Sequence, residues 1–229
     1  MQMRAFARRL RNHSVRAIRQ RVLRLAIGSL GAAVRSGRQP SARVFEQLVY
    51  GWGNEAWSAN SSFLAAVFEW LPRTSGPILE CGPGISTFVL ASAAAASGRR
   101  VHSLEHNGEW AERIMRELPE GLRPSVEMNL APIKSYEEFD WYSLDTLTPP
   151  QGIGYVVCDG PPGNTRGGRY GLSPILGSFL KPGCIILIDD TQRPQEDQIV
   201  HRWCGELSAS VLHKGDTYSV LSVRGEPQD

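Results

Sequence analysis

The sequence predicts a three-layer α/β sandwich, with a mostly parallel sheet between helices, an antiparallel C-terminal hairpin and a basic helical arm in front. Three observations carry this. Short apolar runs alternate with helical segments from about residue 60 to residue 207, and short connections between such elements mean parallel strands joined by helices. The last two apolar runs, 211–214 and 218–223, flank Gly215-Asp216 and read as a hairpin. The charge is also split. Of 25 Lys plus Arg, 11 Arg lie in the first 45 residues, which hold no acid; the remaining 14 face all 23 acids, a net of −9. A mildly acidic body thus carries a basic arm, and we divide the chain into residues 1–45 and 46–229.

A length of 229 residues suits one domain plus an arm, and 41% apolar residues excludes wholesale disorder. Cys81, Cys158, Cys184 and Cys204 form no CxxC pair, which excludes a zinc ribbon or a thioredoxin-type site. They read as reduced thiols of a cytoplasmic protein. No apolar run reaches 18 residues, so no spanning helix is expected.

In the arm, Phe6, Leu10, Ile18, Val22 and Leu25 recur at near-helical steps with arginines between them, a basic amphipathic helix interrupted around Asn12-His13-Ser14. Three readings stay open: a solvated or packed helix, adhesion to anionic lipid, and a targeting segment. Nucleic acid is disfavoured, because no aromatic-interleaved basic surface follows the arm.

Asn60-Ser61 caps a helix over 63–71. Ile78–Cys81 is a strand, and Gly82-Pro83-Gly84 turns it into an Ala-rich helix that Ser97-Gly98 stops. Val101–Leu104 is the second strand, and Asn107 caps the helix over 109–118. Strands follow at 125–128, 154–158 and 184–188, with helices over 172–180 and 194–207, the latter with Pro194 in its first turn. Four strands end on acids: Glu80, Glu105, Asp159 and Asp189-Asp190. Ligands of parallel sheets sit outside the strands' carboxyl ends, so these acids mark a polar site. The glycine turn lacks the third glycine of a dinucleotide fingerprint, having Thr87 there, and Glu80 would oppose a phosphate. Glu105, 25 residues on, is placed to hold ribose hydroxyls. A cationic sulfonium nucleoside suits these parts better than a dinucleotide.

Ile78-Leu79-Glu80-Cys81-Gly82-Pro83-Gly84 with Ser86-Thr87 resembles the first motif of the Rossmann-like, class I S-adenosylmethionine-dependent methyltransferases. Ser103-Leu104-Glu105-His106-Asn107 resembles the second, and Val156-Val157-Cys158-Asp159-Gly160 the fourth-strand motif, over about residues 50–225. The resemblance implies a seven-stranded sheet and S-adenosylmethionine as cofactor. It places Glu80, Gly82, Gly84, Ser86 and Thr87 at the methionine part, Glu105 on the ribose, His106 and Asn129 beside the adenine, and Asp159 also on the cofactor side.

Asp159 and Asp189-Asp190 end strands that are neighbours in the family's sheet. They are similar to the ligands of metal-dependent O-methyltransferases, which implies a Mg²⁺ site on Asp159, Asp189 and Asp190. The alternative is that Asp159 acts alone as cofactor contact or base while Asp190 caps a helix. Between the strands lies a Gly/Pro loop, 160–171, from which Arg166, Arg169 and Tyr170 project toward an acceptor. Asp159, Asp190, Arg169 and Tyr170 are therefore the candidate catalytic set for methyl transfer to the oxygen of a small molecule or glycan. Trp52, Asn54, Trp57 and Ser58 are a candidate cofactor lid, Trp141-Tyr142 a candidate acceptor wall, and Arg193 and Glu196 a candidate pair. The competing reading is a non-catalytic or other-nucleotide-binding protein tethered by its arm to a membrane or partner.

Overall fold

The computed structural model describes residues 2–54 and 58–224, with side chains from Ser14 onward. A long helix, α1 (Gln2–Ser36), leads into α2 (Ala42–Trp52) and α3 (Ser61–Trp70). Then β1 (Ile78–Cys81), α4 (Ile85–Ser97), β2 (Val101–Glu105), α5 (Gly108–Glu117) and β3 (Val126–Leu130) alternate as the pattern predicts. Asn60 and Asn107 cap α3 and α5, their side chains accepting from Phe63 N at 2.8 Å and Trp110 N at 3.1 Å. A small hairpin, β4 (Ile133–Ser135) and β5 (Asp140–Tyr142), precedes β6 (Ile153–Cys158). The Gly/Pro loop leads to α6 (Leu172–Leu176), β7 (Leu180–Ile188), α7 (Pro194–Glu206) and the closing hairpin β8 (Ala209–Lys214) and β9 (Ser219–Val223).

The sheet runs β3-β2-β1-β6-β7-β9-β8, seven strands with β8 and β9 antiparallel. Strand order reverses between β1 and β6, which pair directly with Cys81 opposite Cys158. A crevice therefore opens beyond their carboxyl ends. Every residue of β1 and β6 is buried, as strands covered on both faces require. Helices pack on both faces, giving the Rossmann-like sandwich.

Two segments depart from expectation. The hairpin β4–β5 is absent from the sequence reading, because three-residue strands carry too little alternation to register. It buries Trp141 and Tyr142 completely. The second difference is the face that α1 turns inward. Leu23, Ala26, Ile27 and Leu30 are buried in the core shared with Phe45 and Leu48 of α2 and Phe88 and Ala91 of α4. Ile18 and Leu25, two members of the expected stripe, are instead 54% and 63% exposed. The side chains of Phe6 and Leu10 lie outside the described residues. Backbone approach decides the packing: a Cβ on Gly51 of α2 would stand 2.6 Å from Leu23 N. Only glycine lets α2 seat against α1 at that point. No helix among the described residues is long and apolar enough to cross a membrane.

Leu30 is fully buried in α1. Truncating such a residue costs its transfer free energy plus a cavity, about 2–5 kcal/mol. Leu30→Ala should lower the urea midpoint accordingly, whereas Leu25→Ala, on the exposed face, should leave it nearly unchanged.

Candidate active site

Glu80 is the most constrained acid in the fold. It is fully buried at β1, where a lone carboxylate is costly. Three hydroxyls answer it: Ser86 Oγ donates at 2.8 Å, Thr87 Oγ1 at 2.9 Å and Ser103 Oγ at 2.6 Å. One side chain thereby ties β1 to the first turn of α4 and to β2. Burial pushes its pKa up to about 7, against the three hydrogen bonds, with Glu105 adding to the rise. Thr87 Oγ1 also accepts from Gly84 N at 3.1 Å, so the glycine turn is clamped from beneath. Glu80, Ser86 and Thr87 were expected on the cofactor itself. The structure sets them behind the turn, facing one another.

In front of the turn is a cavity of about 420 Å³ lined by Gly82, Gly84, Glu105, His106, Tyr142 and Asp159, together with Asn54, Ala59, Trp110 and Pro162. Gly82, at φ +81°, backs onto Gly160, where an added Cβ would stand 2.7 Å from the Gly160 Cα. At Gly84 an added Cβ would meet no atom within 4 Å, so backbone there faces open space. Glu105 forms a wall. Its Oε1 accepts from Asn107 N at 2.7 Å and lies 2.9 Å from His106 Nδ1. Burial raises its pKa, opposed by Asn107 N–H and His106. Trp110 hangs over the turn with its Nε1 donating to Pro83 O at 2.7 Å.

Asn129, expected beside the adenine, does not line this cavity. Its amide donates to Glu127 O at 3.1 Å along its own strand. From the candidate lid, Asn54 lines the cavity and Trp52 packs against Trp110 at 5.8 Å between ring centroids. Trp57 lies outside the described residues.

The carboxyl ends of β6 and β7 are held by a guanidinium. Arg169 is 2% exposed. Its Nη2 donates to Asp159 Oδ1 at 2.9 Å and Asp190 Oδ2 at 2.7 Å, and its Nη1 donates to Asp189 O at 2.7 Å. Glu196 Oε1 stands 3.6 Å away. Burial opposes the arginine's charge, but Asp159, Glu196 and Asp190 hold its pKa above the ordinary value. The metal expectation for Asp159, Asp189 and Asp190 does not fit this arrangement. Asp159 and Asp190 converge on Arg169, whose cation occupies the space between them. Asp189 turns away, its Oδ1 accepting from Asp190 N at 2.9 Å and Thr217 Oγ1 at 3.3 Å. No metal-ligating cluster exists among the described residues.

Burial raises the Asp159 pKa well above its ordinary value, opposed by Arg169 and reinforced by Asp189, Asp190 and Glu80. Asp189 is pushed up to about 6, first by burial. Arg193 pairs with Asp190 at 3.0 Å rather than with Glu196, because Glu196 is turned inward toward Arg169.

The loop residues expected to reach an acceptor are engaged elsewhere. Arg166 donates to Glu137 O at 2.8 Å and to Asp140 Oδ1 at 2.9 Å, pinning the loop to the β4–β5 hairpin. Tyr170 points to α7, donating to Glu206 Oε1 at 2.9 Å under the Arg202 guanidinium. Tyr142 emerges in their place. Its hydroxyl is buried, has no hydrogen-bond partner among the described residues, and belongs to the cavity wall. The hydroxyl sits against the Gly160 backbone. The sequence hinted at this through the Trp141-Tyr142 pair but could not say which ring faces the cavity. Trp110 carried no signal beyond an aromatic in the charged first turn of α5.

An acid-walled, glycine-floored crevice at the switch point of a parallel sheet is where folds of the Rossmann-like class place a ligand. Residues 79–191 match the family model described as a methyltransferase domain. The chain has the Rossmann-like fold of class I S-adenosylmethionine-dependent methyltransferases. It is similar in fold to an O-methyltransferase from Bacillus cereus in complex with SAH, at 17% identity and a TM-score of 0.57, covering 81% of this chain and 92% of that one. A putative caffeoyl-CoA O-methyltransferase from Staphylococcus aureus aligns at 13% identity and 0.55, covering 81% and 92%. A methyltransferase from Geobacter sulfurreducens aligns at 14% identity and 0.55, covering 85% and 96%. No curated protein matches the sequence.

The raised Glu80 pKa makes a signed prediction. A carboxyl with a folded pKa near 7 and an unfolded value near 4.5 contributes stability that is fully present below the lower value. That contribution is lost as pH rises through the upper one. Thermal melts of the ligand-free protein between pH 4.5 and 7.5 should fall more steeply for the wild type than for Glu80→Gln.

Proposed function

We propose that this protein transfers a methyl group from S-adenosylmethionine to a hydroxyl oxygen of a small-molecule or glycan acceptor, without a divalent metal. The observation that carries the cofactor half is the cavity of Gly82, Gly84 and Glu105, with open space at the Gly84 Cα and a carboxylate on the facing wall. These residues fit the group: Gly84 admits close passage of the methionine part, Glu105 suits two ribose hydroxyls, and His106 and Trp110 flank a planar ring. The cofactors of the similar structures point the same way, one of those O-methyltransferases being described in complex with SAH.

S-adenosylmethionine, when bound, supplies a methyl group already activated on a sulfonium, so positioning provides most of the rate. The chain's own residues do the remainder. Asp159 lines the cavity, and burial raises its affinity for a proton, opposed by Arg169, which suits it to accept one from an acceptor hydroxyl. Arg169 fixes that carboxylate and Asp190 in place. Tyr142 forms part of the same wall. The oxygen forms its bond to carbon as the carbon–sulfur bond breaks, and the hydroxyl proton passes to Asp159.

Titration calorimetry with S-adenosylhomocysteine tests the reading. Micromolar affinity, unchanged by EDTA, is expected, with a loss of about tenfold or more in Glu105→Ala, since one good charged hydrogen bond is worth about 1.5–3 kcal/mol. A folded protein with no affinity in either buffer would favour the non-catalytic or other-nucleotide reading. Asp159→Asn should keep the ligand affinity of the wild type while losing transfer to any acceptor found by screening.

A further inference from the structure

A second concave surface lies beside the cofactor cavity, on the far side of the Trp52–Trp110 ring pair. It holds about 500 Å³ between α1 and α5, over the end of α2. Arg16, Arg19 and Gln20 face it from α1, and Arg113, Arg116 and Glu117 from α5. Among the described residues, four guanidiniums and one carboxylate, that of Glu117, face the cleft.

Aromatic faces and backbone hold two of them ready. Arg113 lies over Trp52 at 4.8 Å and over Trp110 at 5.0 Å. Arg19 stands 5.2 Å over the Tyr50 ring, and an added Cβ on Gly53 would meet its Nη1 at 2.6 Å. Such stacking fixes a guanidinium plane. Arg16, Arg113 and Arg116 make no ion pair among the described residues. Like charges gathered around a cleft repel one another, and an anion placed between them relieves that repulsion. Planar forks of N–H donors match phosphate oxygens two at a time.

We infer that this cleft binds a phosphoryl group, either on a soluble phosphorylated molecule or on the headgroup of an anionic lipid. The volume suits a mono- or diphosphate group rather than a nucleic-acid duplex. Both sources have support on the same helix. The cleft opens to solvent at Arg16 and Arg116, which are exposed, and exposed Val15 and Ile18 lie along the same stretch of α1. The inference does not depend on the methyltransferase reading, and its test reads anion binding alone.

The full chain is titrated calorimetrically with pyrophosphate and sedimented with phosphatidylglycerol vesicles, phosphatidylcholine vesicles serving as the control. The double variant R16S/R116S changes only exposed side chains, and its melting temperature checks that it folds. Pyrophosphate binding that weakens at least tenfold in the variant, and weakens with added salt, is the expected result and identifies a soluble source. Binding to phosphatidylglycerol but not to pyrophosphate, lost in the same variant, supports the site with a lipid headgroup as its source. No binding to either probe, or equal binding by variant and wild type, overturns it. So does binding of single-stranded RNA when both other probes fail, because that would describe a polymer-binding surface instead.

Discussion

The buried carboxylate of Glu80 is the constraint on which the cofactor end of this fold depends. An acid at the end of a fully covered strand is tolerated only with donors around it. Here the donors come from α4 and β2, so satisfying Glu80 brings three elements to one point. Ser86 and Thr87 can reach it only if α4 starts immediately after Gly84. That start leaves the Gly84 backbone facing an open cavity. The acid shapes the cavity without lining it, and Glu105, one strand over, lines it.

A second buried charge organises the other half of the crevice. Arg169 comes from the Gly/Pro loop and bridges the ends of β6 and β7 through Asp159 and Asp190. Removing one partner of such a buried cluster leaves uncompensated charge, which costs about 3–5 kcal/mol. The cluster also explains why Asp190 holds a left-handed backbone, φ 63°. Its N–H bonds the Asp189 carboxylate while its own carboxylate reaches both Arg169 and Arg193. A protein cation in this position stabilises the two carboxylates that a metal would otherwise join. Burial raises the affinity of Asp159 for a proton, and the guanidinium opposes that rise.

Much of the fold was legible because strand and helix periods were clean between residues 60 and 223. The strand ends told the most: Glu105 and Asp159 line the cavity as their positions implied. What the sequence could not reveal was side-chain direction across long separations. Arg169 and Glu196 are 27 residues apart, and nothing local says that they meet. Tyr170 follows Arg169 by one residue yet points to the opposite side of the loop, since adjacent side chains diverge. The α1 helix shows the same limit. Its arginines mask two apolar faces, and only the close approach at Gly51 decides that Leu23 rather than Ile18 turns inward.

A crystal structure of the protein with S-adenosylhomocysteine would show whether Glu80 supports the site from behind while the ligand lies in front of the glycine turn. The expected arrangement has the ribose hydroxyls on the Glu105 carboxylate and the methionine portion over Gly84, with Glu80 still bonded to Ser86, Thr87 and Ser103. Ligand contacting Glu80 directly, or a divalent ion displacing Arg169 from between Asp159 and Asp190, would contradict it.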